Sequence, residues 1–271
     1  MPELPEVETA CRGIAPHLIG QRVADVIVRH RQLRWPVPAA LVKALPGQTI
    51  RAVERRAKYI LIKTDAGTVL LHLGMSGSLR VLHCRTPPKK FDHVDIALAN
   101  GRCLRLRDPR RFGCVLWTTG DPARHRLLKN LGPEPLGGEF SGDYLYAASR
   151  KRKIAVRDFL MNGSVLAGIG NIYANECLFL AAIRPQRAAG SITRARYQQL
   201  AEAIRKTLER AIRAGGTTLR DFQNADGLPG YFRRALRVYG RKGEPCSRCG
   251  TPIRALKLGQ RSAFYCPQCQ L

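Results

Sequence analysis

The sequence predicts an α+β protein in several parts: an antiparallel β-sandwich or barrel with a helix at its amino-terminal end, a helical middle, and a small carboxy-terminal metal-binding module. Three observations carry this reading. From Arg22 to Trp117 short β-rich runs follow one another with little helical periodicity between them. After Gly138 helix formers take over. Four of the nine cysteines stand at the carboxy-terminal end in two Cys-x2-Cys pairs.

The first helix is expected over 6–17, where Val7, Cys11, Ile14 and Leu18 recur at helical spacing behind Pro5. Strands are expected at 23–29, 49–55, 59–64, 69–73, 79–82, 94–99, 103–106 and 113–117. Asp65-Ala66-Gly67 and Asn100-Gly101 supply turn signals between them. Strands this numerous, with so little helix between them, pair antiparallel as a sandwich or barrel. The helix then covers the sheet unit and places Pro2 at its edge.

The chain opens Met1-Pro2-Glu3-Leu4-Pro5-Glu6-Val7-Glu8. A Met before a small residue is of the kind cells remove, which leaves Pro2 as an amino-terminal secondary amine. An α-amino group titrates near pH ~7.7–8.0, so a modest environmental shift leaves much of it neutral and nucleophilic near neutrality. Such an amine can attack an electrophilic carbon and collapse to an iminium. Glu3 beside it can exchange the proton. The alternative is that Pro2 and Pro5 only open a helix, since Pro and acids both suit its first turn.

Forty-six Lys and Arg against 20 Asp and Glu give a net charge of +26, with +10 over residues 1–149 and +16 over 150–271. Both halves are therefore expected to touch a polyanion, most simply nucleic acid. No run is apolar enough to span a bilayer, and the acidic start is unlike a secretory leader. An odd cysteine count with one clustered set fits a reducing cytosol. A soluble intracellular protein is expected.

Three insertions in the amino-terminal half admit a functional and a structural reading. Arg55-Arg56-Ala57-Lys58-Tyr59 is either a strand start that binds phosphate or an edge strand guarded by charge. His72-Leu73-Gly74-Met75-Ser76-Gly77 places a long side chain in a Gly-flanked turn, as a wedge for a base stack or as packing filler. Asp108-Pro109-Arg110-Arg111-Phe112-Gly113 offers guanidiniums and a ring for insertion into a duplex, or a plain surface turn.

In the middle, 131–138 is dense in Pro and Gly and reads as a linker or hinge. Gly168-Ile169-Gly170-Asn171 opens a helix to about residue 182, a tight turn that can also bind an anion through backbone N–H groups. A long helix is expected from about 193 to 214, stopped by Gly215-Gly216, with a polar loop through Pro229-Gly230 that is suited to act as a lid. Cys246, Cys249, Cys266 and Cys269 match a four-cysteine zinc site. A closed all-thiolate site is structural, so one structural Zn²⁺ and no catalytic metal are expected. Arg254, Lys257, Gln260 and Arg261 lie between the pairs, with Arg261 a candidate phosphate contact.

Taken together these motifs resemble the bacterial formamidopyrimidine-DNA glycosylase family over essentially the whole chain. The resemblance rests on Pro2-Glu3-Leu4-Pro5-Glu6-Val7-Glu8, Arg55-Arg56-Ala57-Lys58, 72–77, 108–113, Gly168-Ile169-Gly170-Asn171-Ile172-Tyr173-Ala174, and the cysteine module with Arg261. It implies a catalytic β-sandwich domain with flanking helices over 1–132, a helix–two-turns–helix DNA-binding domain over 133–236 and a zinc finger over 237–271. It implies a base-excision repair enzyme that flips and excises oxidised purines, 8-oxoguanine and formamidopyrimidines, and then cleaves the abasic strand by β,δ-elimination. Pro2 would attack C1′ to form a Schiff base, Glu3 would assist sugar-ring opening, and Glu6 would support the site. Lys58 would handle phosphate and proton transfer, and Arg261 would complete the catalytic set.

Met75, Arg110 and Phe112 would fill the gap left by the flipped base, with Arg110 facing the opposite cytosine. His72, Asn171, Tyr239 and Arg261 would hold phosphates around the lesion, with Arg157 also a DNA-binding residue. The loop over 217–231 would close on the purine. The implied partner is damaged double-stranded DNA, with no membrane, no obligate protein partner, and a monomer in the bacterial cytoplasm acting at the nucleoid. Two departures, Val156-Arg157 where the family pattern has Ile-Lys and Asn162 where it has an acid, bear on lesion preference. The sister subgroup that excises oxidised pyrimidines shares the Pro-Glu start, but Met75 and the Arg110/Phe112 loop favour the purine branch. A non-catalytic DNA-binding module would need neither Pro2 nor Glu3.

Overall fold

The computed structural model describes residues 2–216 and 235–271. The chain divides into two compact units, one built on Met1–Lys129 and the other on Asn130–Arg213 with the carboxy-terminal segment.

The first unit opens with α1 (Leu4–Leu18), whose Pro5 falls in the first turn, where a missing N–H costs no intrahelical bond. Its eight strands are β1 (Val23–Val28), β2 (Ala52–Arg56), β3 (Tyr59–Thr64), β4 (Gly67–His72), β5 (Ser78–His83), β6 (Asp92–Leu98), β7 (Arg102–Arg107) and β8 (Cys114–Thr118). Every expected run is present. They form two separate antiparallel sheets, β1-β6-β7-β5 and β2-β3-β4-β8, so the architecture is a sandwich and not a barrel. Inward residues of both sheets, among them Ile60, Ile62, Val69, Leu71, Val94, Ile96, Leu104 and Leu106, share one core with Val7, Ala10, Cys11, Ile14 and Leu18 of α1. The helix spacing in the sequence therefore marked the face that closes the sandwich. A short helix, α2 (Ala39–Ala44), was not legible, because six residues with one buried side chain, Leu41, give no period.

The second unit contains α3 (Gly142–Ser149), α4 (Val156–Met161), α5 (Asn171–Leu180), α6 (Arg194–Arg213) and the hairpin β9 (Arg254–Leu258) and β10 (Arg261–Tyr265). Residues Ile172 to Phe179 of α5 are all buried, which makes it the central helix of this unit. α6 buries Tyr197, Leu200, Ala201, Ile204, Leu208 and Ala211 on one stripe and leaves its other face charged. A Cβ on Gly142 would sit 2.4 Å from the Cα of Gln198, so α3 crosses α6 at the distance only a glycine allows.

The stretch 131–138, expected as a linker or hinge, is packed into the second unit instead. Gly132 N–H donates to Gly163 O at 2.8 Å, Ala167 N–H donates to Pro133 O at 3.1 Å, and Arg205 donates to the carbonyls of Gly137 and Phe140. Gly132 in particular serves close packing, since a Cβ there would stand 2.6 Å from the Val165 backbone.

Outside the carboxy-terminal cluster, Cys11, Cys103, Cys114 and Cys177 are buried and Cys84 is exposed. Burial pushes the thiols of Cys11 and Cys114 up to about 12 and that of Cys103 up to about 11.

Candidate active site and nucleic-acid interface

Pro2 is buried just ahead of α1, and Glu3 is the helix N-cap. Glu3 and Glu6 form a capping box, in which Glu3 N–H donates to Glu6 Oε2 at 2.8 Å. Both carboxylates are nearly inaccessible, at 3% and 2% exposure. Gly216, at φ +80°, lies against Glu6; a Cβ there would stand 3.1 Å from Glu6 Cγ and Oε1. The Pro-Glu junction is thus fixed from its carboxy-terminal side by a buried acid.

Lys58 occupies a two-residue turn joining β2 to β3, since Arg56 pairs with Tyr59. The stretch read as a strand start is therefore a hairpin tip. Ala57 precedes Lys58 at φ +53° and is buried, a left-handed conformation that costs a non-glycine residue roughly 1 kcal/mol. The tip is tied to α1: Arg55 Nε donates to Glu8 Oε2 at 2.7 Å, and Arg55 Nη1 donates to Ala57 O at 3.1 Å. Burial works against the charge on Glu8, but Arg55 and Arg12 outweigh it and hold the carboxylate below its ordinary range. The helix that carries Pro2 and the turn that carries Lys58 are thereby one framework.

His72 ends β4 opposite Tyr59, their rings 4.8 Å apart. Burial drives its pKa down to about 4, and Lys58 and Arg34 add to the shift. Gly74 N–H donates to His72 Nδ1 at 2.9 Å, so the neutral ring carries its proton on Nε2. His72 can donate a hydrogen bond to a phosphate but brings no charge to it.

The two loops expected to carry wedge residues meet. Arg110 Nη2 lies 3.3 Å from Met75 Sδ, and its guanidinium sits 5.0 Å from the centroid of the Phe112 ring. Met75 is 39% exposed and Phe112 47%, which settles the packing alternative: neither fills the core. The loops approach through backbone alone. A Cβ on Gly74 would stand 2.4 Å from Phe112 C, and one on Gly113 would stand 2.5 Å from His72 O.

In the second unit, Arg157 corrects an expectation. The sequence places it among the DNA-binding side chains, yet it is 0% exposed. Its Nη1 donates to Asn171 Oδ1 and its Nη2 to Leu258 O, both at 2.8 Å, with Asp158 Oδ1 2.9 Å away. Burial lowers its pKa against the pull of Asp158, and Arg261 lowers it further. Arg157 is the bracket that joins α4 and the first turn of α5 to the hairpin tip. Asn171 is fixed in turn, because its Nδ2 donates to Ser262 O at 2.9 Å. Tyr239 stacks edge-on against Phe264 of the hairpin at 5.2 Å. Arg261 is exposed at the start of β10, next to the two-residue tip Gly259-Gln260.

The four cysteines converge as their spacing requires. Their sulfurs all lie within 4.8 Å of one another, with Cys249 to Cys266 at 3.5 Å and Cys246 to Cys269 at 3.9 Å. Thiolates about 2.3 Å from a tetrahedral Zn²⁺ stand about this far apart. Backbone N–H groups of Arg248 and Cys269 point at Cys246 Sγ and Cys266 Sγ, each at 3.4 Å. The donor set fits one structural Zn²⁺, which closes the hairpin on Phe179 and Val238.

Sequence reasoning missed Asp108, wholly buried between the wedge loops, and Glu176. Glu176 accepts the backbone N–H groups of Arg237, Val238 and Tyr239 at 2.8–2.9 Å, which fixes the segment entering the hairpin. The available signal was a lone acid in the largely apolar 172–180 run. The loop over 217–231, expected to close on the purine, lies outside the described residues.

Three family descriptions match in chain order: the formamidopyrimidine-DNA glycosylase N-terminal domain over 1–115, the H2TH domain of the same enzymes over 131–223, and the zinc finger found in FPG and IleRS over 243–271. A formamidopyrimidine-DNA glycosylase of Ectopseudomonas mendocina is 60% identical over 270 residues, covering all of both chains. Among solved structures, a mutant Lactococcus lactis FPG in complex with a Fapy-dG containing DNA has a TM-score of 0.92 at 32% identity, over 99% of each chain. A MutM in complex with carbocyclic 8-oxo-G containing DNA has a TM-score of 0.91 at 32% identity, also over 99% of each. Sandwich, helical unit and zinc hairpin together are those of a DNA glycosylase. The chain belongs to the formamidopyrimidine-DNA glycosylase family.

Proposed function

We propose that this protein repairs oxidised purines in double-stranded DNA as a combined glycosylase and abasic-site lyase, with Pro2 as its nucleophile. The observation that carries the chemistry is the Glu3–Glu6 capping box, which holds the Pro2–Glu3 junction in a buried setting. Once Met1 is removed, the Pro2 amine attacks C1′ of the damaged nucleotide and the base departs with its glycosidic electron pair. Glu3 supplies the proton for sugar-ring opening, and the iminium on C1′ acidifies the neighbouring C2′ proton. Its loss expels the 3′ phosphate, and a second elimination expels the 5′ phosphate. Lys58 assists these transfers and Arg261 engages the phosphates, with His72, Asn171 and Tyr239 as further contacts. Arg157 acts through Asn171 and the hairpin tip.

The wedge formed by Met75, Arg110 and Phe112 occupies the vacated stack, with Arg110 toward the opposite base. Extruding a base costs a few kcal/mol. Burying two half-exposed apolar side chains returns about 1 kcal/mol each, and phosphate contacts add the rest. The relatives solved with Fapy-dG and 8-oxo-G DNA support purine lesions as substrate. The functional division is 1–132 for chemistry, 133–236 and 237–271 for DNA binding. No helix among the described residues is long and apolar enough to cross a membrane. The proposed working form is a cytoplasmic monomer without an obligate protein partner.

Borohydride trapping on a duplex with 8-oxoguanine opposite cytosine tests the reading. Wild type should give a covalent adduct that Pro2→Gly and Met1-retaining protein do not. Adduct only with an oxidised-pyrimidine duplex would place the protein with the sister subgroup, and tight binding without any adduct would leave a binding module.

A further inference from the structure

Two loops carry the exposed wedge, and a fully buried carboxylate stands between them. Asp108 is 0% exposed and Ser76 is 5% exposed. Ser76 Oγ donates to Asp108 Oδ1 at 2.9 Å, and Gly113 N–H donates to Asp108 Oδ2 at 2.8 Å. Arg110 N–H donates back to Ser76 Oγ at 3.3 Å. The backbone of Asp108 is held as well: its N–H donates to Phe91 O at 3.0 Å, and its carbonyl is 2.9 Å from His93 Nε2. One side chain therefore spans the loop of Met75 and both ends of the loop of Arg110 and Phe112. No other acidic side chain is bonded to either loop among the described hydrogen bonds.

We infer that Asp108, through Ser76, is the positioning residue of the wedge and sets how Arg110 meets the opposite base. This rests on the glycosylase reading above. The physical argument is one of stiffness. Neither Met75 nor Phe112 is among the side chains packed on the sandwich core, and the partner they share is the long, exposed Arg110, so the aim of all three depends on their backbone. A buried carboxylate accepting two hydrogen bonds is costly to disturb, because either donor left alone is a desolvated group without a partner. Ser76 is the hinge pin: from the loop of Met75 its hydroxyl donates to Asp108 and accepts from the Arg110 N–H, both on the facing loop. Asp108 touches no substrate in this scheme. Its effect is confined to steps in which the wedge enters a duplex, and the Pro2 chemistry on an already unpaired sugar does not need it.

The test compares wild type with Asp108→Asn and Ser76→Ala on two substrates. One is a duplex with 8-oxoguanine opposite cytosine or adenine; the other is a single-stranded oligonucleotide with an abasic site, which has no stack to fill. Both variants should trap the single-stranded abasic site as wild type does. They should lose about 10-fold to about 100-fold in duplex excision, the scale of a misplacement of about 1 Å. Their preference for cytosine over adenine opposite the lesion should fall toward parity. Ser76→Ala removes only a hydroxyl, so it keeps the test alive should Asp108→Asn fail to fold. Equal loss on both substrates would mean general structural damage and overturn the inference, as would unchanged duplex excision and base preference. Wild type that traps neither substrate would instead sink the glycosylase reading, and the inference with it.

Discussion

Glu6 holds Glu3 by its backbone: the Glu3 N–H donates to Glu6 Oε2 at 2.8 Å across the first turn of α1, with both side chains shut away from solvent. The reciprocal bond leaves the proposed nucleophile attached to a junction that cannot swing. A capping box ordinarily stabilises a helix by about 1 kcal/mol. Here its second product is geometric, since the same bond orients the residue proposed to exchange a proton with the reacting sugar.

Glu6→Ala should therefore cost about 1 kcal/mol of stability and about 10-fold in single-turnover excision. DNA affinity should change less. Glu6→Gln keeps an acceptor oxygen for the Glu3 N–H and should restore much of the rate. A Gln variant as slow as the Ala variant would show that the charge of Glu6, and not its bond to Glu3, matters.

The neutral His72 gives a pH prediction with a definite sign. Its folded pKa of about 4 lies below the unfolded value near ~6.5, so folding favours the neutral ring. The stabilisation is complete above the unfolded pKa and is lost as pH falls toward the folded one. Between pH ~7 and ~4.5, wild type should lose on the order of 2 kcal/mol more stability than His72→Asn, followed by urea unfolding. Parallel loss in the two proteins would remove His72 as the cause.

Zinc removal should act on DNA binding before it acts on the sandwich. Structural zinc commonly supplies about 10–16 kcal/mol of folding free energy to a small finger. Cys249→Ser should lose the metal and, with it, the placement of Arg261 at the hairpin tip. The readouts are metal content and fluorescence anisotropy with a lesion duplex. Full affinity in zinc-free protein would separate the finger from DNA binding.

Arg157→Lys tests the bracket between α5 and the hairpin. One ammonium cannot reach Asn171 Oδ1 and Leu258 O in the planar fork geometry that Arg157 uses. One buried acceptor then goes without its donor, a loss of about 1–3 kcal/mol, visible as a Tm lowered by a few degrees. A variant as stable as wild type would show that the two hydrogen bonds contribute nothing net.

Local patterns in the sequence were enough to place every strand of the sandwich, because alternation and turn residues such as Asn100-Gly101 act within a few positions. The zinc ligands were equally plain, since their spacing is itself the site. What stayed hidden depends on partners distant in the chain. Arg157 reads as one more cation among 46, and only the carbonyl of Leu258, 101 positions away, shows that it is buried and bridging. Asp108 looks like a turn-starting residue before Pro109, and only Ser76 reveals its second task. The Pro and Gly of 131–138 signalled an irregular backbone correctly, but irregular backbone can be packed as tightly as a helix.

The thiols have a consequence for the conditions in which such an enzyme works. The oxidants that damage guanine also oxidise cysteine, and they do so through the thiolate. Cys11, Cys103 and Cys114 are buried and held protonated, and Cys177 is buried within α5. Besides the exposed thioether of Met75, a peroxide therefore meets one exposed thiol outside the zinc cluster, Cys84 at the end of the β5–β7 pair, far in sequence from Pro2. The proposed nucleophile completes the arrangement: a secondary amine does not climb the sulfur oxidation ladder, so the stress that calls for repair leaves that nitrogen untouched.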